Sequence, residues 1–319
     1  MKILQKVKLQ QQENGNDLKG KKNISNVFMV FRPWSFTMTI ISVTVGSLLG
    51  LVLQDRFNFY LALLVLAGMI AIHAATNIVN DFFDTAYGVD KPGAPTTLYR
   101  IHPILDKVLS PREVINVGIM LYSLASLIGV YLFMLREWPV LIMAIIGIIA
   151  SIEYTSEPLK YKYRGLGEII VFLMWGPLMT SGSYYVQTGN WEGYPTVLLI
   201  SIPLGIWVAL VLLANNLKDI NYDYEMNIIT VPIWLGKEKA LKLFAGMTYC
   251  VYLLSGAGLL MGLLSGWALL VFLSFPLALR LINYFKTIPQ FPHNAEPKTT
   301  VIFAVYGGLL IISLLATYV

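Results

Sequence analysis

Long apolar stretches alternate with short polar ones from residue 35 to the end of the chain. A helix crosses the hydrocarbon core of a bilayer, about 30 Å thick, with roughly 20 apolar residues. Nine segments approach or reach that length, and they are residues 35–53, 59–82, 113–134, 139–154, 167–187, 195–217, 240–263, 267–285 and 300–318. The pattern therefore predicts an all-α, polytopic membrane protein in which nine transmembrane helices form a bundle.

The composition agrees with this prediction. Of the 319 residues, 56% are hydrophobic and 13% are charged, and the mean hydropathy is +0.66. These values are typical of chains embedded in a lipid bilayer. The formal net charge of +5 would suggest nucleic acid in a soluble protein, but here the positive residues follow a membrane topology, so we expect no nucleic acid partner. The single cysteine, Cys250, excludes an intrachain disulfide.

The positive charges also predict an orientation. If the N-terminus is cytoplasmic, every Lys and Arg except Arg56 and Arg136 lies in or beside a cytoplasmic segment, as the positive-inside rule requires. We therefore expect a multi-pass protein of the cell membrane with a cytoplasmic N-terminus. The long loops 83–112 and 218–239 would face the cytoplasm, and the C-terminus would lie on the other side.

The first residues of the chain differ from the rest. Residues 1–27 are rich in Lys, Gln, Asn and Gly and contain no apolar region of the kind a signal peptide needs. We expect them to form a flexible cytoplasmic tail. Residues 28–319 would then form one transmembrane domain.

The second apolar segment ends in an acidic stretch that runs from Asn77 to Asp90. If the helix continues through it, Asn77, Asp81 and Asp84 are spaced i, i+4 and i+7 and share one face. An acidic cluster at the negative end of a helix dipole is unfavourable unless a cation offsets it. Oxygen ligands suit Mg²⁺, which commonly binds one or two carboxylates together with substrate phosphates. The alternative is a helix that simply ends in a solvated polar turn.

The sixth apolar segment ends in a similar stretch. There Asn215, Asp219 and Asp223 are spaced i, i+4 and i+8, so they too can share a helical face. Two such helix ends, each introduced by Asn, favour a common site over simple solvation. Carboxylates rimmed by Lys and Arg above an apolar bundle fit a diphosphate that carries a long hydrocarbon chain, with Mg²⁺ to neutralise and orient it. We therefore expect the active site at the cytoplasmic side.

The two motifs carry a resemblance to a known family. Asn77-x-x-Asn80-Asp81-x-x-Asp84-x5-Asp90 and Asp219-x3-Asp223, on nine predicted spans, resemble the UbiA superfamily of intramembrane aromatic prenyltransferases. The resemblance extends from Arg32-Pro33 to the last span. Within the superfamily the chain is most similar to the 1,4-dihydroxy-2-naphthoate polyprenyltransferases of menaquinone synthesis, and the features concerned are Gly88, Tyr154-Thr155, Gly165 to Glu168 and Tyr184 to Thr188.

This resemblance implies a function and a set of site residues. The enzyme would transfer a polyprenyl group from its diphosphate to an aromatic acceptor, with 1,4-dihydroxy-2-naphthoate losing CO₂ in the process. The carboxylates implied to bind Mg²⁺ and support catalysis are Asp81, Asp84, Asp219 and Asp223. The residues expected to bind the substrates are Asn77, Asn80, Asp90, Arg100, Tyr154, Lys162, Asn215, Asn216, Lys218 and Arg32. Arg32 and Lys162 could instead be topology anchors.

Two rival functions stay open at the level of sequence. A superfamily member could use another acceptor, such as 4-hydroxybenzoate, haem or a glyceryl phosphate. The same carboxylates could also serve a transporter. Carriers usually hold their site near the middle of the membrane, whereas these charges lie at one face, so the enzyme is favoured.

Single positions add detail. The family usually has Ala-Gly-Lys-x-Thr after the second motif, and here Ile228 stands where that Lys is expected, which removes a phosphate contact unless Lys218 compensates. Asn227 can take the positive φ of the missing Gly. His73 is expected to be a hydrogen-bonded interior residue rather than a ligand. Glu168 would either contact the acceptor or stabilise the start of a helix.

Overall fold

The structure is a computed structural model that describes residues 23–288 and 291–318. Residues 1–22 of the predicted tail lie outside the described residues. At the end of that tail the chain forms a short helix, Ile24–Met29, which is capped by the side chain of Asn23. In the described part, helices are joined by loops, and the only pairing outside helices is an isolated bridge between Arg164 and Ile229.

The chain is almost entirely helical within these ranges. The α-helices are α1 Ile24–Met29, α2 Phe36–Gln54, α3 Phe59–Tyr87, α4 Pro95–Tyr99, α5 Pro111–Arg136, α6 Trp138–Ile152, α7 Gly167–Leu173, α8 Met179–Thr188, α9 Tyr194–Lys218, α10 Ile220–Glu225, α11 Val231–Leu235, α12 Lys237–Leu260, α13 Phe275–Thr287 and α14 Ala295–Tyr318. Three 3₁₀ helices add Pro33–Ser35 before α2, Tyr161–Tyr163 before α7 and Gly266–Ser274 before α13. A π-helical turn, Met174–Leu178, joins α7 to α8.

Eight helical units in the described ranges are long and apolar enough to cross a membrane. They are α2, α3, α5, α7 with α8, α9, α12, α13 with its preceding 3₁₀ helix, and α14. The prediction of an all-α, multi-pass membrane protein is thereby confirmed. The predicted span 139–154 is the 15-residue helix α6, which rises about 22 Å at 1.5 Å per residue. Because this is less than the bilayer core, the count of nine spans is not confirmed.

The longest helix, α3, carries the first acidic motif. Asn58 caps its start by accepting a hydrogen bond from the Leu61 N–H, and Gly88 ends it with a φ of 80°, a conformation that favours glycine. Its 29 residues rise about 43 Å, which exceeds the thickness of the bilayer core by about two turns. The helix is therefore long enough to carry its acidic end beyond the bilayer core, where the sequence predicts the motif.

The second motif follows α9, which is the central helix of the bundle. Leu204, Trp207 and Leu210 on α9 have no exposed surface and pack in a core shared with α2, α12 and α14. By contrast α5 exposes apolar side chains such as Leu127 and Met134, as a surface in contact with lipid does. The second motif thus begins at the end of a buried helix, directly after Lys218.

A π-helical turn interrupts the span formed by α7 and α8. A Cβ atom at Gly176 would lie 2.8 Å from the Cα of Gly205 on α9, so glycine is required for the close approach of the two helices. The same turn contains Pro177. Turns of this kind are frequent at functional sites, and here the turn carries Trp175, which faces a cavity between the helices.

Candidate functional site

In the first motif, Asp81 is enclosed by two arginines. Its carboxylate has no exposed surface and accepts hydrogen bonds from Arg100 at 2.7 and 3.0 Å and from Arg32. The two bonds from Arg100 form a bidentate pair, the strongest arrangement between these groups. Burial opposes the charge of Arg100, but Asp81, Tyr99 and Asp90 together outweigh it and hold the pKa of Arg100 above its usual range. The buried carboxylate of Asp81 thus joins three segments of the chain, because Arg32 precedes α2, Asp81 lies on α3 and Arg100 follows α4.

Asp84, one turn further along α3, contacts a different set of partners. Lys162 donates to one carboxylate oxygen and the Tyr163 hydroxyl to the other. Lys162 also donates to Oδ1 of Asn80 at 3.2 Å, and Thr155 donates to the same oxygen at 2.7 Å. The loop between α6 and α7 therefore folds onto the first motif. Tyr163 is a contact that sequence reasoning did not single out, and Thr155 was named only as a feature of the family resemblance.

Asp90 is held by a histidine whose tautomer follows from its neighbours. Nδ1 of His102 accepts hydrogen bonds from the backbone N–H groups of Ile104 and Leu105, at 3.2 and 3.1 Å. The proton of a neutral ring must then lie on Nε2, which donates to Oδ2 of Asp90 at 3.1 Å. Burial would raise the pKa of Asp90, but the effects of His102, Arg100 and Lys162 together outweigh it, and the pKa lies below its usual range.

Sequence reasoning gave His102 no partner, because the contact arises from the fold of an irregular loop. Ligand atoms of Asp81, Asp90 and His102 lie within 4.8 Å of one another, a separation at which they could share a metal ion. Both oxygens of Asp81 already bond to arginine. The group is therefore a satisfied network of hydrogen bonds rather than an open ligand set.

The carboxylates of the second motif have far fewer partners. Oδ1 of Asp219 is buried and has no hydrogen-bond partner, and Nζ of Lys218 lies 3.3 Å from Oδ2. Among the residues that the structure describes, none donates a side-chain hydrogen bond to Asp223. Burial, followed by the charge of Asp219, raises the pKa of Asp223 to about 7. Burial also raises the pKa of Asp219.

The structure brings the two motifs together. The Tyr222 hydroxyl, on α10, donates to the carbonyl of Val89 at 2.5 Å, directly before Asp90. The charge of Asp84 contributes to the raised pKa of Asp223, and Lys162 acts in the opposite direction on the same carboxyl. Groups that influence each other in this way share one electrostatic environment.

A cavity of about 280 Å³ begins beside these motifs and runs among the helices. Of the predicted site residues, those that line it are Arg32, Asn77, Asn80, Asp84, Tyr154, Lys162, Asn215 and Asn216. Those that do not line it are Asp81, Asp90, Arg100, Lys218, Asp219 and Asp223. The remaining walls are mainly apolar. The site residues that do not line the cavity lie beside its mouth, where they pair with or face the residues that do.

Just below the mouth, His73 lies in a chain of hydrogen bonds. Trp175 donates to Oγ1 of Thr39 at 3.1 Å, and that hydroxyl lies 2.9 Å from Nδ1 of His73. On the other side Nε2 lies 3.2 Å from Oγ of Ser35, whose own proton goes to the carbonyl of Arg32 at 2.7 Å. His73 is 5% exposed. The prediction of a hydrogen-bonded interior residue is therefore confirmed, and the chain of bonds ends at the backbone of Arg32.

The segment after the second motif keeps its turn without the expected lysine. Asn227 has a φ of 55°, so it takes the left-handed conformation predicted for it. Ile228 is 5% exposed, and its N–H donates to the carbonyl of Asp223 at 2.9 Å. Lys218, considered as a substitute, lies with Nζ 4.1 Å from the centre of the Tyr99 ring.

Glu168 lies at the start of α7 beside the second motif. Its Oε1 accepts a hydrogen bond from Asn216 at 2.9 Å, whereas Oε2 is buried without a partner. Asn216 lines the cavity. The position is thus compatible with both roles considered for Glu168, since it occupies the first turn of a helix and adjoins the cavity.

Together these features define a helical membrane protein in which an acidic and basic mouth opens into an apolar cavity. The UbiA prenyltransferase family model matches residues 39–305. The chain belongs to this family of prenyltransferases, and the resemblance drawn from its two motifs is confirmed.

Known relatives cover much of the chain. The 1,4-dihydroxy-2-naphthoate octaprenyltransferase of Bacillus subtilis (strain 168) is 26% identical over 294 residues, which cover 92% of this chain and 93% of that protein. UbiA prenyltransferase domain-containing protein 1 of Homo sapiens is 30% identical over 241 residues, which cover 73% of this chain and 68% of that protein.

Solved structures share the fold. The apo structure of a UbiA homolog from Aeropyrum pernix K1 has a TM-score of 0.67 and 15% identity, and covers 87% of this chain and 97% of that one. A UbiA homolog from Archaeoglobus fulgidus, solved bound to GPP and Mg²⁺, has a TM-score of 0.62 and 16% identity, with 91% and 98% covered.

Proposed function

We propose that this chain transfers a polyprenyl group from a polyprenyl diphosphate to an aromatic acceptor, with Mg²⁺ as the cofactor. The observation that carries the proposal is one cavity with two kinds of wall: Asp84, Lys162 and Arg32 at the mouth, and apolar side chains below. A diphosphate requires cationic partners and a prenyl chain requires apolar surroundings. The UbiA homolog from Archaeoglobus fulgidus, solved with GPP and Mg²⁺, supports both the donor and the cofactor.

The carboxylates of the chain fit a divalent cation. A buried carboxylate oxygen without a partner, such as Oδ1 of Asp219, is costly unless a positive group approaches it. Asp223, whose pKa is raised to about 7 by burial and by Asp219, has the same need. We propose that Asp219 and Asp223 hold Mg²⁺. Asp84 and Asp81, which are paired with Lys162 and with Arg32 and Arg100 in this structure, would join them when a bound diphosphate draws those basic groups to itself. When bound, the ion would neutralise the diphosphate and polarise it as a leaving group.

Basic side chains at the mouth would bind the diphosphate, and an aromatic side chain there would stabilise the allylic cation. Burial opposes the charge of Lys162, but Asp84, Asp90 and Tyr154 together outweigh it and raise the pKa of Lys162 to about 12, so this group can donate to diphosphate oxygens as a cation. Arg32 and Arg100 supply further charged donors. Burial raises the pKa of Tyr154 to about 12, so its hydroxyl keeps its proton. The face of its ring can stabilise an allylic cation formed at the donor.

The proposed acceptor is 1,4-dihydroxy-2-naphthoate, which would place the reaction in menaquinone synthesis. The relative from Bacillus subtilis, which matches almost the whole chain, supports this choice. The ring carbon that bears the carboxylate would form the new bond to the prenyl group, and CO₂ would leave to restore the aromatic ring. Asn216 and Glu168 are the proposed contacts for the acceptor, because they are joined at the cavity wall.

The function is tested by incubating the purified protein with Mg²⁺, a labelled polyprenyl diphosphate and a panel of aromatic acceptors. Carboxyl-labelled 1,4-dihydroxy-2-naphthoate should release its label in step with prenylation. EDTA should stop the reaction and added Mg²⁺ should restore it. Efficient prenylation of 4-hydroxybenzoate with its carboxylate retained, and none of the naphthoate, would exclude the proposed acceptor but leave prenyl transfer standing. A parallel flux assay in proteoliposomes would reveal a transporter.

We also propose a location and an orientation. The protein would lie in the cell membrane, with residues 1–27 as a cytoplasmic tail and residues 28–319 as the enzyme domain. The distribution of Lys and Arg supports a cytoplasmic N-terminus. A Pro95→Cys variant in a Cys250→Ala background, treated with an impermeant thiol reagent, tests the loop after the first motif. Labelling only from outside the cell would reverse the orientation.

A further inference from the structure

Arg32 has an uncommon backbone conformation at the mouth of the cavity. Its φ is 58° and its ψ is 59°, in the left-handed region that residues with a side chain rarely occupy. Pro33 follows it, and a residue before proline prefers an extended backbone. Such a conformation persists only where the surrounding structure determines it, and it occurs most often at functional sites. The contacts that hold this backbone therefore bear on the role of Arg32.

Two side chains hold the backbone on either side of Arg32. Nδ2 of Asn77 on α3 donates to the carbonyl of Phe31 at 3.0 Å, and Oγ of Ser35 donates to the carbonyl of Arg32 at 2.7 Å. Asn77 and Ser35 are both buried, and both line the cavity. Because a carbonyl oxygen can only accept, the nitrogen of the Asn77 amide must be the atom that faces Phe31.

Further donors set the direction of the bond from Ser35. Because the proton of its hydroxyl goes to Arg32, its oxygen must accept from Nδ2 of Asn77 and from Nε2 of His73, both at 3.2 Å. A neutral His73 ring with its proton on Nε2 then accepts at Nδ1 from the hydroxyl of Thr39, 2.9 Å away. The donors of this network thus have one consistent arrangement, which keeps Ser35 directed at the carbonyl of Arg32.

The helix α3 holds Arg32 at two points. Asn77 bonds to the carbonyl that precedes Arg32, and Asp81, one turn later on the same helix, bonds to its guanidinium. These two residues of α3 are about 6 Å apart along the helix axis, a distance that one arginine side chain spans. Nε of Arg32 is buried and has no hydrogen-bond partner within residues 23–288 and 291–318. An anion at the mouth of the cavity would supply the missing acceptor.

We propose that Asn77 and Ser35 are positioning residues for Arg32, because they fix its backbone at the cavity mouth so that its guanidinium meets the diphosphate of the donor. The inference rests on the proposed function and deepens it, since it makes Asn77 act through Arg32 rather than as a metal ligand. The guanidinium can move from Asp81 to the diphosphate while the backbone stays in place. Little backbone freedom is then lost when the diphosphate binds, and the affinity is higher for that reason.

The test is a double-mutant cycle that combines Ser35→Ala or Asn77→Leu with Arg32→Gln in the full-length protein. The quantities measured are the Kd of inorganic pyrophosphate in the presence of Mg²⁺, the KM for each substrate of prenyl transfer, and the melting temperature without ligand. Ser35→Ala and Asn77→Leu should each raise the Kd of pyrophosphate and the KM for the donor about tenfold. The KM for the acceptor should not change, and in Arg32→Gln protein neither substitution should have a further effect.

Asn77→Asp separates positioning from metal binding. A carboxylate keeps an oxygen for Mg²⁺ and adds a negative charge, so a metal ligand at this position should tolerate the change. A positioning residue should not, because the N–H donors to Phe31 and Ser35 are lost and a carboxylate would face a carbonyl. We expect Asn77→Asp to weaken pyrophosphate binding at least as much as Asn77→Leu does. Wild-type or tighter binding in Asn77→Asp would overturn the proposal.

Thr37→Val is the matched control. The hydroxyls of Ser35 and Thr37 each donate to the carbonyl three residues earlier, at 2.7 and 3.0 Å, but Thr37 bonds to Trp34 and does not line the cavity. Thr37→Val should bind pyrophosphate as the wild type does. Equal changes in Ser35→Ala and Thr37→Val, or effects of Ser35→Ala that persist in Arg32→Gln protein, would contradict the positioning role.

Ser35→Ala removes a single oxygen atom, so it decides the test if the melting temperature shows that Asn77→Leu does not fold. The binding measurements also separate this inference from the proposed function. If the wild type transfers a prenyl group to no acceptor while the cycle in pyrophosphate binding gives the expected result, the proposed function fails and the positioning of Arg32 stands.

Discussion

The two acidic motifs differ in how their charges are neutralised. In the first, Asp81 bonds to Arg32 and Arg100, and Asp84 bonds to Lys162. In the second, Asp219 keeps an oxygen without a partner and Asp223 accepts no side-chain hydrogen bond from the described residues. The two motifs have similar spacing. The protein itself supplies partners for the carboxylates of the first motif, but it leaves those of the second motif incompletely paired.

The pKa values of Asp90 and Asp223 differ in the same way. Burial raises the pKa of both carboxyl groups, but at Asp90 the effects of His102, Arg100 and Lys162 together outweigh it, so that pKa lies below its usual range. At Asp223 nothing outweighs burial, and the pKa rises to about 7. We conclude that the first motif is a preformed ion-pair network, and that the second is where an added cation gains most.

The largest expected effect concerns stability, and it should separate the motifs. Asp81→Asn leaves buried Arg100 and partly buried Arg32 without their counter-charge and should lower the free energy of unfolding by about 3–5 kcal/mol. Asp219→Asn removes an oxygen without a partner but also the counter-charge of buried Lys218, so these effects partly offset each other and the loss should be much smaller. Thermal unfolding of both variants in the same detergent, without Mg²⁺, measures the difference. Equal losses in the two variants would contradict the comparison.

Activity should respond in the second motif even where stability changes little. Asp219→Asn and Asp223→Asn should each lower kcat by about 10²–10³-fold, the size of effect seen when one group that stabilises developing charge is removed. Steady-state prenyl transfer at saturating donor measures this. Glu225→Gln is a control in the same helix as Asp223, because Glu225 is exposed and should be dispensable. Near-normal turnover in both Asp variants would exclude the second motif as a cation site.

The raised pKa of Asp223 gives Mg²⁺ binding a pH dependence. The usual pKa of an Asp carboxyl is 3.8, and in the folded protein this one is about 7. Between these values the folded state binds the proton more tightly than the unfolded state, so without metal the group destabilises the fold as pH rises.

Bound Mg²⁺ requires the ionised carboxylate and must displace that proton below pH 7. Its apparent affinity should therefore fall about tenfold per pH unit below pH 7. Titration of Mg²⁺ followed by thermal shift between pH 5 and pH 8 measures the slope. In Asp223→Asn the slope should disappear, and a slope that persists there would assign the proton to another group.

The smallest effect is expected at the position of the missing lysine. Ile228→Lys adds a positive charge beside the second motif and should lower the KM for the diphosphate a few-fold, corresponding to about 0.5–1 kcal/mol for a partly screened charge. Ile229→Lys is the control, because Ile229 is 46% exposed whereas Ile228 is 5% exposed. An equal change in both variants would show a general effect of charge. No change in either would show that the phosphate contact is already compensated.

Much of the fold could be predicted because apolar length and acidic spacing are local properties of the sequence. The span that became α3 and the motif at its end followed from counting residues between Tyr60 and Asp84. The helix α6 was predicted as a full span because apolar content does not reveal how short the helix becomes between Glu137 and the turn after Ile152.

The partners of the site residues could not be predicted in the same way. Lys162 meets Asp84 across 78 positions of sequence, and His102 meets Asp90 only because its loop folds back on backbone N–H groups. Such contacts arise in irregular loops, which lack the hydrophobic periodicity from which helices are predicted. The unequal neutralisation of Asp81 and Asp223 depends on these loops, and no spacing in the sequence indicates it.

The short helix α6 has a consequence for the surrounding lipid. It forms part of the cavity wall, and the exposed indole of Trp138 marks one end of it, as interfacial aromatic residues do. A hydrophobic length of about 22 Å beside a core of about 30 Å produces hydrophobic mismatch. With α6 as a span, we expect the bilayer to thin locally along this side, at a cost that grows with every ångström of mismatch. Lipids with short acyl chains should therefore gather against the wall that encloses the cavity.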